Sequence, residues 1–91
     1  MSIEGKVAII TGASSGIGYA TALALSKAGV KVAIGARRTD KLEQLENEIK
    51  KNGGDVLSQK LDVTKKTDCD AIVEQTIKKW GTVDILVNNA G

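Results

Sequence analysis

The residues best placed to do chemistry are three glycines in one loop, Thr11-Gly12-Ala13-Ser14-Ser15-Gly16-Ile17-Gly18. The loop follows an apolar run at 7–10 and opens a stretch of helix formers at 17–28, so it joins a strand to a helix. Gly12 permits a sharp turn off the strand. Gly16, with no Cβ, lets the backbone approach a pyrophosphate, and Gly18 lets the helix pack closely on a sheet. Phosphates would then sit at a helix N-terminus, where free N–H groups and the helix dipole favour negative charge. Ser14 and Ser15 add hydroxyl donors. Gly12, Ser14, Ser15, Gly16, Ile17 and Gly18 are therefore the expected phosphate-side residues. A tight strand-to-helix turn that binds nothing fits the same glycines. A Walker-type loop is excluded, because Ile17 stands where its second glycine belongs and no Gly-Lys-Ser/Thr follows.

A second group lies after the apolar run 31–34. Dinucleotide sites that take NAD place an acidic residue at the end of the second strand, where it bonds the ribose 2′-hydroxyl. Here Ala36 holds that place, followed by Arg37 and Arg38. A 2′-phosphate calls for cationic forks instead, so the pattern points to NADP(H), with Arg37 the first choice and Arg38 the second. Two solvated arginines ahead of a helix are the plain alternative. Cations there are unfavourable by about 0.3–1 kcal/mol each, a penalty that a bound phosphate would reverse. The chain has no histidine, a single cysteine (Cys69) and no acidic or cysteine cluster at metal-ligand spacing.

The elements that must hold these residues alternate along the chain. Strands are expected at 7–10, 31–34, 56–61 and 83–87. Helices are expected at 17–28, from an N-cap at Thr39 to Gly53-Gly54, and after Asp62-Val63-Thr64 up to Gly81. Leu42, Leu45 and Ile49 form one helical face; Cys69, Ile72, Val73, Thr76, Ile77 and Trp80 form another, which places Cys69 in the core. The order β-α-β-α-β-α-β implies right-handed crossovers and a parallel sheet. The expected fold class is α/β, the first half of a Rossmann-type doubly wound sheet with strand order 3-2-1-4. That order puts a crevice at the C-terminal end of the first strand, where Gly12 lies.

Thr11-Gly-x-x-x-Gly16-x-Gly18 followed by Asn88-Asn-Ala-Gly91 resembles the short-chain dehydrogenase/reductase family, as does the spacing between the two motifs. The resemblance runs the length of the chain and covers less than half of the family's full domain. It implies that residues 1–91 form the N-terminal half of a dinucleotide-binding domain. It also implies that Asp62 accepts a hydrogen bond from the adenine amino group while the Val63 N–H serves a ring nitrogen. Capping the loop into the third helix is the alternative for Asp62. Asn89, Ala90 and Gly91 are implied to pass close to the adenosine ribose, whereas Thr11 and Asn88 tie neighbouring strand ends.

The family's catalytic pair is Tyr-x-x-x-Lys, but Leu23 stands four residues after Tyr19, which assigns Tyr19 to packing or surface. Family members continue past Asn-Asn-Ala-Gly to a catalytic asparagine, a serine and that pair. None of these is in this sequence. The resemblance therefore implies the cofactor-binding front part of an NADP(H)-dependent oxidoreductase of alcohols and ketones, with no turnover of its own. A non-catalytic nucleotide-binding or self-associating module is the alternative. With 91 residues the chain makes one domain, and its net charge of +2 argues against a nucleic-acid or membrane surface. A lone cysteine and the lack of a signal-like start suggest the cytoplasm. The strand at 83–87, apolar on both faces, would be left as an uncovered edge. It is expected to pair with a second copy as a two-fold dimer, or with the missing C-terminal part of a parent chain.

Overall fold

Apolar runs without alternation become the two central strands, and the computed structural model, which describes residues 2–89, shows why. Strands β1 (Val7–Thr11) and β2 (Lys31–Ala36) lie mid-sheet and are buried along almost their whole length. Both faces of each strand meet helices, so both strands are apolar except for Lys31 at the start of β2 and Thr11 at the end of β1. β3 (Val56–Lys60) and β4 (Ile85–Asn88) take the margins. The four-stranded sheet has the order β3-β2-β1-β4, parallel throughout, with Val7 opposite Lys31 and Ala8 opposite Ile85. This is the expected order and fold class.

Helices α1 (Gly16–Lys27) and α2 (Thr39–Lys51) cover one face, where Ala8, Ile10, Val32 and Ile34 of the sheet meet Leu45 and Ile49 of α2. Helix α3 (Lys66–Trp80) covers the other, its Ile72 packing with Ile9, Ala33 and Leu61. Gly35 makes that contact close, since a Cβ there would lie 3.0 Å from Ile72 Cδ1 and 3.2 Å from Leu61 Cβ. Asp84 fastens the start of β1 to β4: the Val7 N–H donates to its carboxylate at 2.9 Å, and its own N–H donates to the Val7 carbonyl at 2.9 Å. Among the described residues no helix is long and apolar enough to cross a membrane.

Several sequence expectations are corrected here. Thr39 does not cap α2 from outside but is its first residue; Arg38 is the N-cap, and no side chain caps this end. Cys69 is half-buried rather than core, and of the α3 stripe only Ile72 and Thr76 are buried. α3 sits over β1, β2 and β3 and leaves Val73 and Ile77, 39% and 47% exposed, facing outward. The last strand begins at Ile85, not at 83, and it is bare on one face only. Ile85 and Val87 pack on the α1 side, while Leu86, which pairs with Ile9 on the α3 side, is 64% exposed.

Candidate functional site

The C-terminal ends of four parallel strands open onto one crevice, and the loop after β1 forms its floor. Gly12 leaves β1 at φ +64°, and a Cβ on it would run into the Asn89 carbonyl oxygen. A Cβ on Gly18 would run into the Gly12 carbonyl oxygen and come within 2.7 Å of Asn89 Nδ2. The two glycines thus let α1, the β1 turn and the segment after β4 close on one another. Asn89 adds a hydrogen bond from its Nδ2 to the Gly12 carbonyl at 3.3 Å, and the Thr11 hydroxyl donates to Asn88 Oδ1 at 3.0 Å. The tie between the ends of β1 and β4 is therefore present.

Gly16 differs. At φ +32°, its missing Cβ would point into open space. Ser15, the N-cap of α1, is a residue type that ordinarily bonds a first-turn amide, yet its hydroxyl makes no such bond. The first turn of α1 holds no acidic side chain either. A helix start with free amides, no internal anion and no Cβ in the way fits a phosphate group. Ile17 lies beside it, large, apolar and 77% exposed.

A crevice of about 200 Å³ is lined by Gly12, Ser14, Ser15, Ala36, Arg37, Arg38, Leu61, Val63 and Asn89. It adjoins a wider basic recess with walls from Arg37, Arg38, Lys60, Asp62, Lys65 and Asp68. Seven of the expected binding residues, Gly12, Ser14, Ser15, Arg37, Arg38, Val63 and Asn89, thus line one cavity and Asp62 lines its neighbour, while Gly16, Ile17 and Gly18 line neither. Ala90 and Gly91 lie outside the described residues. Lys60, Lys65 and Asp68 carried no signal in the sequence, because each stands among ordinary surface charges and only the folded loops bring them together.

The two arginines are not equivalent. Arg38 Nη2 is paired with Asp40 Oδ2 at 3.2 Å on an exposed surface, which draws its fork toward the start of α2. Arg37 has no such partner among the described residues, and its charge acts on Asp62. The Asp62 carboxyl is held below its usual range, first by the Thr64 hydroxyl and amide, which both donate to Oδ1, then by the charges of Arg37 and Lys65. Asp62 is thus an anionic acceptor at neutral pH. It also makes the turn into α3 through Oδ1, which accepts both Thr64 bonds, and no bond to Oδ2 occurs among the described residues.

Fold and crevice together define an α/β protein of the Rossmann type. Residues 6–91 match the sequence profile of the family described as short chain dehydrogenase. An uncharacterized oxidoreductase of Listeria monocytogenes is 50% identical over 91 residues, covering 100% of this chain and 37% of that protein. L-sorbose reductase from Gluconobacter frateurii, solved with NADPH and L-sorbose, superposes with a TM-score of 0.94 at 44% identity, over 100% of this chain and 35% of its own. A 7α-hydroxysteroid dehydrogenase solved with NADH and 7-oxo glycochenodeoxycholic acid gives 0.94 at 39% identity, over 99% of this chain and 35% of its own. The chain belongs to the short chain dehydrogenase family. It spans little more than a third of the length of these relatives.

Proposed function

We propose that this chain binds the adenosine 2′-phosphate end of NADP(H), as the N-terminal half of the dinucleotide-binding domain of an oxidoreductase acting on alcohols or ketones. The observation that carries the reading is the crevice wall: Ala36 ends β2 where a carboxylate would favour NAD, and the Arg37 fork, without an ion pair among the described residues, follows it. Relatives have been solved with both NADPH and NADH, so the choice rests on these residues and not on kinship.

In this reading Ser14, Ser15, Gly16 and Ile17 receive the pyrophosphate, with Gly12 and Gly18 shaping the turn. Arg37, with a lesser part for Arg38, receives the 2′-phosphate. Asp62 and Val63 read the adenine edge, and Asn89, Ala90 and Gly91 border the ribose. The cofactor supplies hydride transfer, but this sequence holds no Tyr-x-x-x-Lys to move the accompanying proton, so the chain alone binds without turnover. Its lone, half-buried cysteine suits the reducing cytoplasm. The bare margin of the sheet at β4 favours a second role, pairing with another copy of the chain.

Calorimetric titration with adenosine 2′,5′-bisphosphate and with 5′-AMP tests the assignment. The bisphosphate is expected to bind about tenfold or more tightly, from one charge-assisted contact. Arg37→Asp should abolish that preference, whereas Arg38→Ala should change it by less than about threefold, because Arg38 is already engaged by Asp40. Equal affinity for the two ligands would remove NADP(H) from the reading. Protein-dependent oxidation of any alcohol by the chain alone would overturn the inactive-fragment assignment.

A further inference from the structure

We propose that Asp68 is a positioning residue for recognition of the adenine base, an inference that rests on the nucleotide-binding reading above. Asp68 lies in the first turn of α3, where a carboxylate is favoured by the helix dipole. A carboxylate at this place usually bonds the amide of its own N-cap residue, here Lys65. Asp68 does not. Its Oδ2 accepts the N–H of Asp62 at 2.9 Å, six residues back and outside the helix, while the Lys65 N–H is taken by the Asp62 carbonyl at 2.9 Å. The loop between β3 and α3 is thereby closed on itself.

Its other anchors leave one pair of groups free. Leu61 is buried and its N–H donates to the Ala36 carbonyl at 2.9 Å, which fixes the loop's start on the end of β2. Thr64 donates to Asp62 Oδ1 from its amide at 3.0 Å and its hydroxyl at 2.6 Å, which fixes the Asp62 side chain. Among the described residues, Asp62 Oδ2 and the Val63 N–H have no partner. An acceptor and a donor one residue apart, beside the crevice that Val63 lines, match the amino group and adjacent ring nitrogen of adenine. Hypoxanthine reverses both: it would set a carbonyl against the carboxylate and an N–H against an N–H. Discrimination depends on the pair holding still, because a loop free to move could relax away from the mismatch. Thr64 sets the side chain of Asp62, and Asp68 sets its backbone.

The test compares wild type, Asp68→Ala and Asp68→Asn, the last keeping an acceptor of the same size. Each is titrated with adenosine 2′,5′-bisphosphate and inosine 2′,5′-bisphosphate, and exchange of the Asp62 amide proton is followed by NMR. Wild type is expected to favour the adenine compound by about tenfold or more. Asp68→Ala should bring the two affinities to within about twofold by weakening adenine binding alone, with faster Asp62 exchange, and Asp68→Asn should restore most of both. An Asp62 amide that exchanges freely in wild type, or an Asp68→Ala protein that keeps its base preference, would overturn the proposal while leaving nucleotide binding intact. Wild type binding neither bisphosphate would instead sink the nucleotide-binding reading, and this inference with it. Should Asp68→Ala not fold, Asp68→Asn and the wild-type exchange rate decide.

Discussion

The three glycines of the β1–α1 loop are required for different physical reasons, and substitution separates them. Gly18 sits in α1 against backbone and the Asn89 amide, so an alanine there must push the loop apart. Overpacking of this kind costs about 1–3 kcal/mol, only partly offset by the roughly 0.5–1 kcal/mol that alanine gains over glycine in a helix. Gly16→Ala meets no neighbour; it bears the strain of a positive φ, about 1–2 kcal/mol, and fills open space that the proposed function gives to a phosphate. Urea melts with titration of adenosine 2′,5′-bisphosphate should show Gly18→Ala losing stability and Gly16→Ala losing affinity by tenfold or more at a modest stability cost. Equal affinity of Gly16→Ala and wild type would mean that the open space at Gly16 serves no ligand. The spacing of these glycines was legible because a strand-to-helix turn allows few solutions. Pairings such as Arg38 with Asp40, or Asp68 with the Asp62 amide, were not: they depend on rotamers and loop paths that no periodicity encodes.

Among the elements, strand and helix identities followed from composition, and so did the buried α2 face of Leu42, Leu45 and Ile49, while the burial of the α3 stripe did not. α3 carries six residues at helical spacing, yet Thr76 is buried and Val73 and Ile77 are exposed. Thr76 tolerates the core by donating its hydroxyl to the Ile72 carbonyl at 2.6 Å. A second contact invisible in the sequence joins α1 to α2: the Tyr19 hydroxyl donates to Glu48 Oε2 at 2.6 Å. The bond needs the protonated phenol, and the carboxylate beside it raises the Tyr19 pKa, with burial adding to the shift. A folded-state pKa above the unfolded one means that the contribution is complete below the ordinary phenol range, near 10, and is lost as pH rises through the raised value. Because the contact is exposed, its worth is small, below about 1 kcal/mol. Tyr19 is the only tyrosine, so ultraviolet absorbance follows its ionisation directly. Its midpoint should lie above that of free tyrosine in wild type and fall back in Glu48→Gln. Identical midpoints would mean that the two helices are not joined this way in solution.

For the whole molecule, the sheet order was readable because right-handed crossovers leave few arrangements, but the covering of each face was not, since it depends on where α3 finally lies. That helix leaves a groove on its own side of β4, lined by Ile9, Val63, Ile72, Val73 and Leu86 among others, beside an unpaired strand edge. The opposite face of β4 is occupied by Ile85 and Val87 against the α1 layer. Only one face is therefore available, and a two-fold axis beside β4 would pair the strands antiparallel while bringing each copy's Leu86 toward the other's groove. Light scattering during size-exclusion chromatography should give the mass of a dimer, and the melting midpoint should rise with protein concentration. Leu86→Lys puts a charge on a strand edge and deletes an exposed side chain, so it should yield a monomer whose midpoint no longer depends on concentration. Since Leu86 is mostly solvated in the single chain, its loss should cost the monomer little, within about 0.5 kcal/mol. A wild-type protein that stays monomeric at high concentration would show that the edge is quiet, and its exposed leucine would then need another explanation than self-pairing.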